Sequence, residues 1–251
     1  MREWIVGRNP VYEVLRAGRR KASRLQVAQG TQEKGRLADI LRLTAARKLP
    51  VERVQRQRLE ALGADTQGVA LETGEYTYSA LPDMLDLAEK RAEDPLVLIL
   101  DTLQDPQNLG TLLRTAEVVG VHGVLLPFRR TATITPAVVS ASSGASEHLL
   151  IAQANLAQSI ELLKEAGIWV VGLESSSQAQ TPDQVRLEGP LALVVGNEGE
   201  GMRSLVVKSC DLLLRLPMRG QIESLNAAIA GSVALYLAWQ ARGYSGGPVS
   251  A

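Results

Sequence analysis

The second half of the chain alternates short apolar runs with helix-forming stretches, and this alternation restricts the possible folds more than any other feature of the sequence. Five runs rich in Val, Leu and Ile have the length of buried strands, at residues 96–100, 123–126, 169–173, 191–195 and 212–216. Helix-forming stretches lie between and after them, at 109–119, from Pro136 onward and over 224–240. Strands separated by helices need crossover connections, which make the strands parallel. We therefore predict an α/β fold built on a parallel sheet.

The first part of the chain has a smaller version of the same pattern. Short strand-like runs are found at 25–28, 51–54 and 69–71, and a helix is predicted from Asn9-Pro10 to a stop at Gly18. The polar stretch that follows carries one predicted helix, through Leu81, Met84, Leu85 and Ala88. We predict a small α/β domain at 1–75, a linker at 76–94 and a larger domain at 95–251 with a loose tail.

Charge is divided unevenly between these parts, although the whole chain has 27 Lys and Arg against 27 Asp and Glu. Residues 1–75 hold 15 basic and 9 acidic side chains, and the remainder holds 12 and 18. A basic surplus attracts phosphates, but an ordinary solvated surface has the same composition. If the first domain binds RNA, neutralising Arg19, Arg20 and Lys21 should weaken that binding and flatten its salt dependence.

Several classes of protein are excluded by what the sequence lacks. The apolar runs are too short for a membrane-spanning helix, and the N-terminus lacks the apolar region of a signal peptide, so we expect a cytoplasmic protein without membrane contact. One cysteine, Cys210, and two histidines, His122 and His148, cannot build a Cys/His zinc site or a disulfide framework. We expect no metal, and we expect both histidines to be structural.

Three loops that follow predicted strands carry the residues from which a site could be built, because ligands of open α/β sheets bind beyond the carboxyl ends of strands. The first loop begins at Asp101 and ends in Asp105-Pro106-Gln107-Asn108-Leu109-Gly110, followed by Arg114. The planar fork of Arg114 suits a phosphate or a carboxylate. The alternative is structural, with Asn108 capping the helix and Arg114 pairing with a neighbouring acid.

The other two loops follow the strands at 191–195 and 212–216. One reads Gly196-Asn197-Glu198-Gly199-Glu200-Gly201-Met202, in which three glycines permit close approach of the backbone to a ligand. It matches neither the phosphate-binding loop nor the dinucleotide fingerprint, and a plain glycine-rich turn is the alternative. The other runs from Leu216-Pro217-Met218 to Ser224-Leu225-Asn226-Ala227-Ala228, where Ser224 is a possible cap of the last helix and Asn226 would be exposed in its first turn.

Together these loops resemble the three sequence motifs of the SpoU (TrmH-like) branch of the SPOUT RNA methyltransferases. Their order, spacing and position after strands agree with the family over residues 95–242. The domain at 1–75 is similar to the N-terminal RNA-binding domain of the members that methylate a guanosine of 23S rRNA (the RlmB type). Many of those members have His-Gln-Gly-Val at the end of the domain, whereas this chain has Thr66-Gln67-Gly68-Val69, a departure that bears on RNA specificity more than on the reaction.

The resemblance implies a fold, a cofactor and a set of site residues. It implies that the larger domain is a deep trefoil knot that binds S-adenosylmethionine and that two chains pair as a homodimer. The implied cofactor-binding residues are Gly196, Asn197, Gly201, Leu216, Met218 and Leu225, and the implied catalytic residues are Asn108, Arg114, Glu198, Ser224 and Asn226. On the last helix, Val233, Leu235, Tyr236 and Trp239 could form the dimer face, although ordinary core packing is the alternative.

The implied reaction is methyl transfer to a ribose 2′-hydroxyl, in which the hydroxyl loses its proton and lies in line with the S–CH3 bond. Alignment of this kind can supply several kcal/mol of the barrier. The family proposal gives Arg114 a part in deprotonation, but an arginine stays protonated near neutral pH. We therefore expect Arg114 to clamp a phosphate and to stabilise charge on the 2′-oxygen. Glu198 would hold Arg114 or Asn108 rather than act as base.

Three other functions fit parts of the pattern. A tRNA 2′-O-methyltransferase would have the same chemistry, and the extra N-terminal domain favours rRNA over tRNA. A non-catalytic RNA-binding or ribosome-assembly protein could keep the fold, but the complete set of five polar residues argues against it. A nicotinamide-dependent oxidoreductase is disfavoured because the dinucleotide fingerprint is missing.

Overall fold

The protein folds into two compact units in the computed structural model, which describes residues 2–197, 199–222 and 224–246. The first unit contains the residues up to Thr77 together with Thr133–His148, and the second contains Tyr78–Ala132 and the residues from Leu149 on. The segment Thr133–His148 lies in the middle of the predicted larger domain, and nothing in the sequence indicated that it packs with the first unit.

The first unit is a four-stranded sheet with helices. Its elements are β1 Arg2–Val6, α1 Arg8–Ala17, β2 Ala22–Ala28, α2 Arg36–Ala46, β3 Val51–Val54, α3 Arg56–Glu60 and β4 Val69–Gly74, with α6 Pro136–Ala141 and a 3₁₀ turn at Ala145–Glu147 from the later segment. The strand order is β1-β4-β2-β3, and β4 is antiparallel to both of its neighbours. Strands β1, β2 and β3 therefore run in the same direction, and their carboxyl ends meet at one edge.

Helix α1 follows the sequence prediction closely. Pro10, Val11, Val14 and Leu15 are its buried residues, and the helix ends at Gly18 in the left-handed conformation, φ 66°. A glycine adopts this conformation without steric cost, which confirms the predicted stop.

The later segment is fixed to the first unit by a buried ion pair. The Arg20 guanidinium donates from Nε to both carboxylate oxygens of Glu147, at 3.0 and 3.1 Å, and from Nη2 to the Ile134 carbonyl at 3.1 Å. Both side chains of the pair are fully buried. Burial raises the pKa of Glu147, and the neighbouring Arg20 acts in the opposite direction.

This pairing changes the interpretation of the basic cluster in the sequence. Arg20 was predicted to bind RNA with Arg19 and Lys21, and for Arg20 that prediction is wrong because its guanidinium is enclosed by Glu147 and Glu3. Arg19 also donates, from Nε, to the Glu147 backbone carbonyl at 3.2 Å. Lys21 is exposed. An RNA-binding surface of this unit therefore cannot use Arg20.

The second unit is built on a six-stranded sheet. Its elements are α4 Leu81–Arg91, β5 Leu96–Leu100, α5 Pro106–Val118, β6 Gly123–Pro127, β7 Ile151–Ala154, α7 Leu156–Glu165, β8 Trp169–Leu173, β9 Leu191–Val195, α8 Ser204–Ser209, β10 Leu212–Leu214 and α9 Ala227–Ala241. The strand order is β10-β8-β9-β5-β6-β7, and every pairing is parallel. The predicted parallel α/β fold is confirmed.

Helix α4, predicted within the linker, contributes to the core of the second unit. Met84 and Ala88 are buried, and Met84 contacts β6 so closely that a Cβ on Gly123 would lie 2.1 Å from its Sδ. The structure describes no helix that combines the length and the apolar composition needed to cross a membrane. His122 is buried, accepts from the Leu96 N–H at Nδ1 and contacts Glu93 at Nε2, both at 3.0 Å, which is a structural role.

Candidate functional site

A cleft of about 240 Å³ lies in the second unit, beyond the carboxyl ends of β8, β9 and β10. Its wall consists of the loops that follow these strands and the start of α9. It is lined by Leu173, Glu174, Ser175, Val195, Gly196, Asn197, Gly199, Glu200, Gly201, Leu214, Arg215, Leu216, Met218, Ser224, Leu225, Ala227 and Ala230. All six residues predicted to bind the cofactor are in this set. Three segments that are distant in sequence therefore form one cleft.

The loop after β9 is organised by Asn197. Its Oδ1 accepts from the backbone N–H groups of Gly199 and Glu200, at 2.9 and 2.7 Å, and its Nδ2 donates to Thr102 Oγ1 at 3.0 Å. Its backbone also exchanges two hydrogen bonds with Gly201, both 3.2 Å. Asn197 thus closes the loop on itself and attaches it to the end of β5.

Gly196 is required by this closure. A Cβ at this position would lie 2.3 Å from the carbonyl carbon of Gly201 and 2.4 Å from the Met202 nitrogen. Both are backbone atoms, so the clash could not be relieved by a side-chain movement. The glycine pattern of the sequence therefore has a specific cause, which is the close approach of the two ends of the loop.

Asp101 fixes the far end of the loop after β9, and the sequence patterns predict no role for it. It directly follows β5, is 0% exposed, and accepts from the Arg203 backbone N–H at 2.8 Å and from Arg203 Nε at 2.7 Å. Charge-assisted bonds of this kind are stronger than neutral ones. The available signal was an acidic residue placed immediately after a wholly apolar strand.

Two of the predicted catalytic residues are in direct contact. Asn226 Nδ2 donates to Asn108 Oδ1 at 3.0 Å. Asn226 Oδ1 accepts from the N–H groups of Ala228 and Ile229, at 3.0 and 3.2 Å, so Asn226 is the N-cap of α9. The first and third loops of the sequence analysis therefore meet at the start of α9.

The caps differ from two sequence interpretations. Asp105, not Asn108, caps α5, since its side chain accepts from the Gln107 N–H at 3.0 Å. Asn226, not Ser224, caps α9, and Ser224 instead lines the cleft. Both predicted helices begin elsewhere for this reason, α5 at Pro106 and α9 at Ala227.

Arg114 and Glu198 are placed differently from the other predicted residues. Arg114 stands on the exposed side of α5 and is not among the described residues that line the cleft. The next residue, Thr115, contacts Ser232 of α9, with 2.9 Å between the two hydroxyl oxygens. Gly231 lets the two helices approach, because a Cβ there would lie 2.9 Å from Leu112 Cδ1. Glu198 lies outside the described residues.

The cleft combines apolar and charged surface. Leu173, Val195 and Leu214 provide apolar walls, and Glu174, Glu200 and Arg215 provide charged groups. Glu174 Oε1 accepts from the Ser175 N–H at 3.1 Å, and Arg215 Nε donates to the Ala179 carbonyl at 3.0 Å. In the part of the chain that the structure describes, no group of three or more His, Cys, Asp or Glu side chains is arranged to hold a metal. The lining suits a ligand with an apolar ring system and a charged end.

Comparison with known proteins gives matches over both units. The model of the SpoU rRNA Methylase family matches residues 95–236, and the model for RNA 2′-O ribose methyltransferase substrate binding matches residues 4–79. A Bacillus subtilis protein, YacO, whose name places it in the TrmH family of tRNA/rRNA methyltransferases, is 40% identical over 244 residues, which are 96% of each chain.

Two solved structures extend the comparison to the fold. The AdoMet-bound rRNA methyltransferase from Sinorhizobium meliloti is 26% identical with a TM-score of 0.77, covering 95% of this chain and 87% of that one. The SpoU methyltransferase AviRb from Streptomyces viridochromogenes, in complex with AdoMet, has a TM-score of 0.78 at 21% identity, covers 97% of this chain and 92% of that one, and shows likeness of fold.

Proposed function

The chain belongs to the SpoU rRNA methylase family of RNA methyltransferases, and from this membership and the geometry of the cleft we propose that it methylates a ribose 2′-hydroxyl of RNA, using S-adenosylmethionine. The observation that carries the proposal is the position of the Asn108–Asn226 contact. It lies at the start of α9, whose first turn also forms part of the cleft wall through Ala227. A polar pair and a cofactor-sized cleft thus share one helix terminus.

The residues of the cleft fit S-adenosylmethionine. The apolar wall of Leu173, Val195 and Leu214 suits an adenine ring, and the Glu174 carboxylate suits hydroxyl or ammonium donors. Backbone groups at Gly196, Leu216 and Leu225, beside Met218, Asn197 and Gly201, would hold the cofactor. When bound, S-adenosylmethionine supplies a methyl group on a positively charged sulfur. No metal is needed for such a transfer.

The polar residues would act on the RNA. Asn226 is held by its two cap bonds, so its amide group presents Asn108 in one orientation. In the proposed mechanism the side chain of Arg114 binds the phosphate next to the target ribose and stabilises the negative charge that grows on the 2′-oxygen. Ser224, Asn108 and Asn226 would align the hydroxyl with the methyl group.

The proposed RNA target is a guanosine of 23S rRNA, for which the match of residues 4–79 to a substrate-binding model is the support. A tRNA target is the second candidate, since YacO is named for both tRNA and rRNA. The cytoplasm is the proposed location of the reaction. The proposed fold of the second unit is the trefoil knot, supported by the likeness to AviRb and to the Sinorhizobium meliloti enzyme.

A homodimer is part of the proposal, and the exposed surface of α9 supports it. Ile229, Val233 and Tyr236 are 51%, 41% and 46% exposed. They lie in a row along one side of α9, and an exposed apolar row of this kind is typical of an interaction surface. Leu235 had been a candidate for the same face, but it is completely buried and belongs to the core. The dimer face is therefore narrower than the sequence predicted.

Calorimetry and a transfer assay test the function. The purified protein should bind S-adenosylmethionine and not NAD. It should also transfer a labelled methyl group to RNA from cells that lack the gene, recovered after digestion as a 2′-O-methylated nucleoside. Arg114→Ala should bind the cofactor normally and lose transfer. Near-normal transfer by Arg114→Ala would contradict the proposed role of Arg114, and binding of cofactor without any transfer would favour the non-catalytic alternative.

A further inference from the structure

The first unit has a cleft of its own, about 330 Å³ in volume, at the edge where the carboxyl ends of β1, β2 and β3 meet. The loops that follow these strands line it with Arg8, Gln29, Gly30, Thr31, Gln32, Lys34 and Arg56. Three of these side chains are cations, and three others carry amide or hydroxyl groups. None is acidic.

The cations of this cleft differ from most others of the unit in their partners. Arg20, Arg24 and Arg53 form ion pairs with Glu147, Glu52 and Glu33. Among the described residues, by contrast, no carboxylate lies within 4.0 Å of the charged nitrogens of Lys34 or Arg56, and both residues are exposed. The acids nearby in sequence, Glu33 and Asp39, are occupied by Arg53 and Arg42. Lys34 and Arg56 thus form no ion pair among the described residues and leave two charges at the cleft that a ligand could pair with.

Arg8 is held in place by a strained loop. Gln67 accepts from the Arg8 backbone N–H at its Oε1, at 3.1 Å, and from Arg8 Nε at its backbone carbonyl, at 3.2 Å. Gln67 and Asp65 both have positive φ, 49° and 52°, a conformation that is costly for a glutamine and more readily adopted by an aspartate. Such strain persists where the surroundings enforce it and is concentrated at binding sites. The next residue, Gly68, touches the cleft wall, since a Cβ there would lie 3.0 Å from Thr31 Oγ1.

We propose that this cleft binds the RNA substrate at an unpaired nucleotide, with Arg8, Lys34 and Arg56 on phosphate oxygens and the amides of Gln29 and Gln32 on the base. The inference rests on the proposed function, because the RNA is the methyl acceptor. Arginine and lysine bind phosphates, and amide side chains can pair with the Watson–Crick edges of bases, which are free only in unpaired RNA. The basic surplus of the sequence is used here rather than at Arg20.

The test compares two doubly substituted proteins, both as the full chain. Lys34→Gln with Arg56→Gln removes two charges from the cleft. Arg47→Gln with Lys48→Gln removes two exposed charges from the other end of α2, about 16 Å away for a helix of this length. Each protein is titrated with a labelled stem–loop RNA of mixed sequence and with the fully paired duplex of its stem, over a series of salt concentrations. Inorganic phosphate is used as competitor.

The cleft variant should bind the stem–loop roughly 10- to 30-fold more weakly at 0.1 M salt, with a salt slope smaller by about 1.4, as expected for two lost contacts to single-stranded RNA. By the same reasoning, the affinity of the control variant for the stem–loop should fall less than about threefold. In the cleft variant, the affinity for the duplex should fall less than the affinity for the stem–loop. Cofactor affinity and thermal stability should be unchanged in both.

Equal losses of stem–loop affinity in the two variants would overturn the inference, since they would show that only the total charge of the protein matters. An unchanged stem–loop affinity in the cleft variant would overturn it too. Competition by inorganic phosphate as strong as that by RNA would show a small-anion site instead. Failure of the proposed function would give a different result, in which the wild-type protein transfers no methyl group to any RNA. The RNA titrations would still show in that case whether the cleft binds RNA.

Discussion

At the scale of single residues, the candidate site depends on side chains whose hydrogen bonds hold its loops in place. Asp101 and Asn197 point inward and attach the loop after β9 to the end of β5, through Arg203 and Thr102. Asn226 has both tasks, because one end of its amide caps α9 and the other contacts Asn108. One side chain therefore fixes both the start of α9 and its contact with Asn108.

Asp101→Asn tests the support of the loop. The amide cannot provide two charge-assisted acceptors to Arg203, and the loss should destabilise the fold by about 1.5–3 kcal/mol and weaken S-adenosylmethionine binding. Thermal unfolding and calorimetry measure the two effects. Asp105→Asn is the matched control, since asparagine is an equally good N-cap and both properties should stay normal. Unchanged cofactor affinity in Asp101→Asn would show that the loop does not need this anchor.

Asn226 allows its two tasks to be separated. Asn226→Asp keeps the cap of α9 but removes the N–H donor to Asn108, so stability should hold while methyl transfer falls. Asn226→Ala loses both and should also cost about 0.5–2 kcal/mol of stability. Transfer rates and unfolding curves of the two variants are compared. A fully active Asn226→Asp would mean that the Asn108 contact is dispensable.

Cys210 gives a prediction about pH. Burial raises the pKa of its thiol to about 12 in the folded protein from 9.0 in the unfolded chain. The thiolate is the reactive form, so at pH 9 the folded protein should react with iodoacetamide far more slowly than the same protein in denaturant. Mass spectrometry of the alkylated peptide measures the ratio. Equal rates in the two states would show that the thiol is accessible and unperturbed.

At the scale of elements, the strongly apolar strands were predictable and the irregular pieces were not. The runs at 96–100 and 191–195 became β5 and β9, since a wholly buried strand leaves a clear pattern. The short β1 and β7 and the helices α3, α7 and α8 were not predicted. The strand predicted at 212–216 ends at Leu214, because Arg215 and Leu216 leave the sheet to line the cleft.

The site itself was predictable to a similar extent and for physical reasons. Glycines and polar residues after strands located the three loops, and the cleft contains the six expected cofactor residues. The burial of Arg20 was not predictable, because its partner Glu147 is 127 residues away along the chain. Local patterns carry no information about such a pairing.

The loop after β9 supplies the prediction at this scale. Gly196→Ala should abolish cofactor binding, because its Cβ would meet backbone atoms of Gly201 and Met202. Gly220→Ala is the matched control, since among the described residues, apart from its two chain neighbours, no atom lies within 4 Å of a Cβ there, and it should bind normally. Calorimetry with S-adenosylmethionine compares them. Normal binding by Gly196→Ala would refute the account of the loop's closure.

At the scale of the whole molecule, two clefts of different chemistry lie in two units. The cleft of the second unit combines apolar walls with Glu174 and Glu200, and the cleft of the first unit is cationic. The neutral total charge of the sequence likewise divides into a basic first part and an acidic remainder. In the proposed account one unit holds the cofactor and the other holds the RNA.

The most direct test of this account is a map of ribose 2′-O-methylation over all rRNA and tRNA, made from cells with the gene, without it, and with the Arg114→Ala gene restored. The account predicts one methyl group, on a guanosine of 23S rRNA, that disappears without the gene and does not return with Arg114→Ala. Identical maps from the cells with and without the gene would contradict the claim that this protein is an RNA 2′-O-methyltransferase.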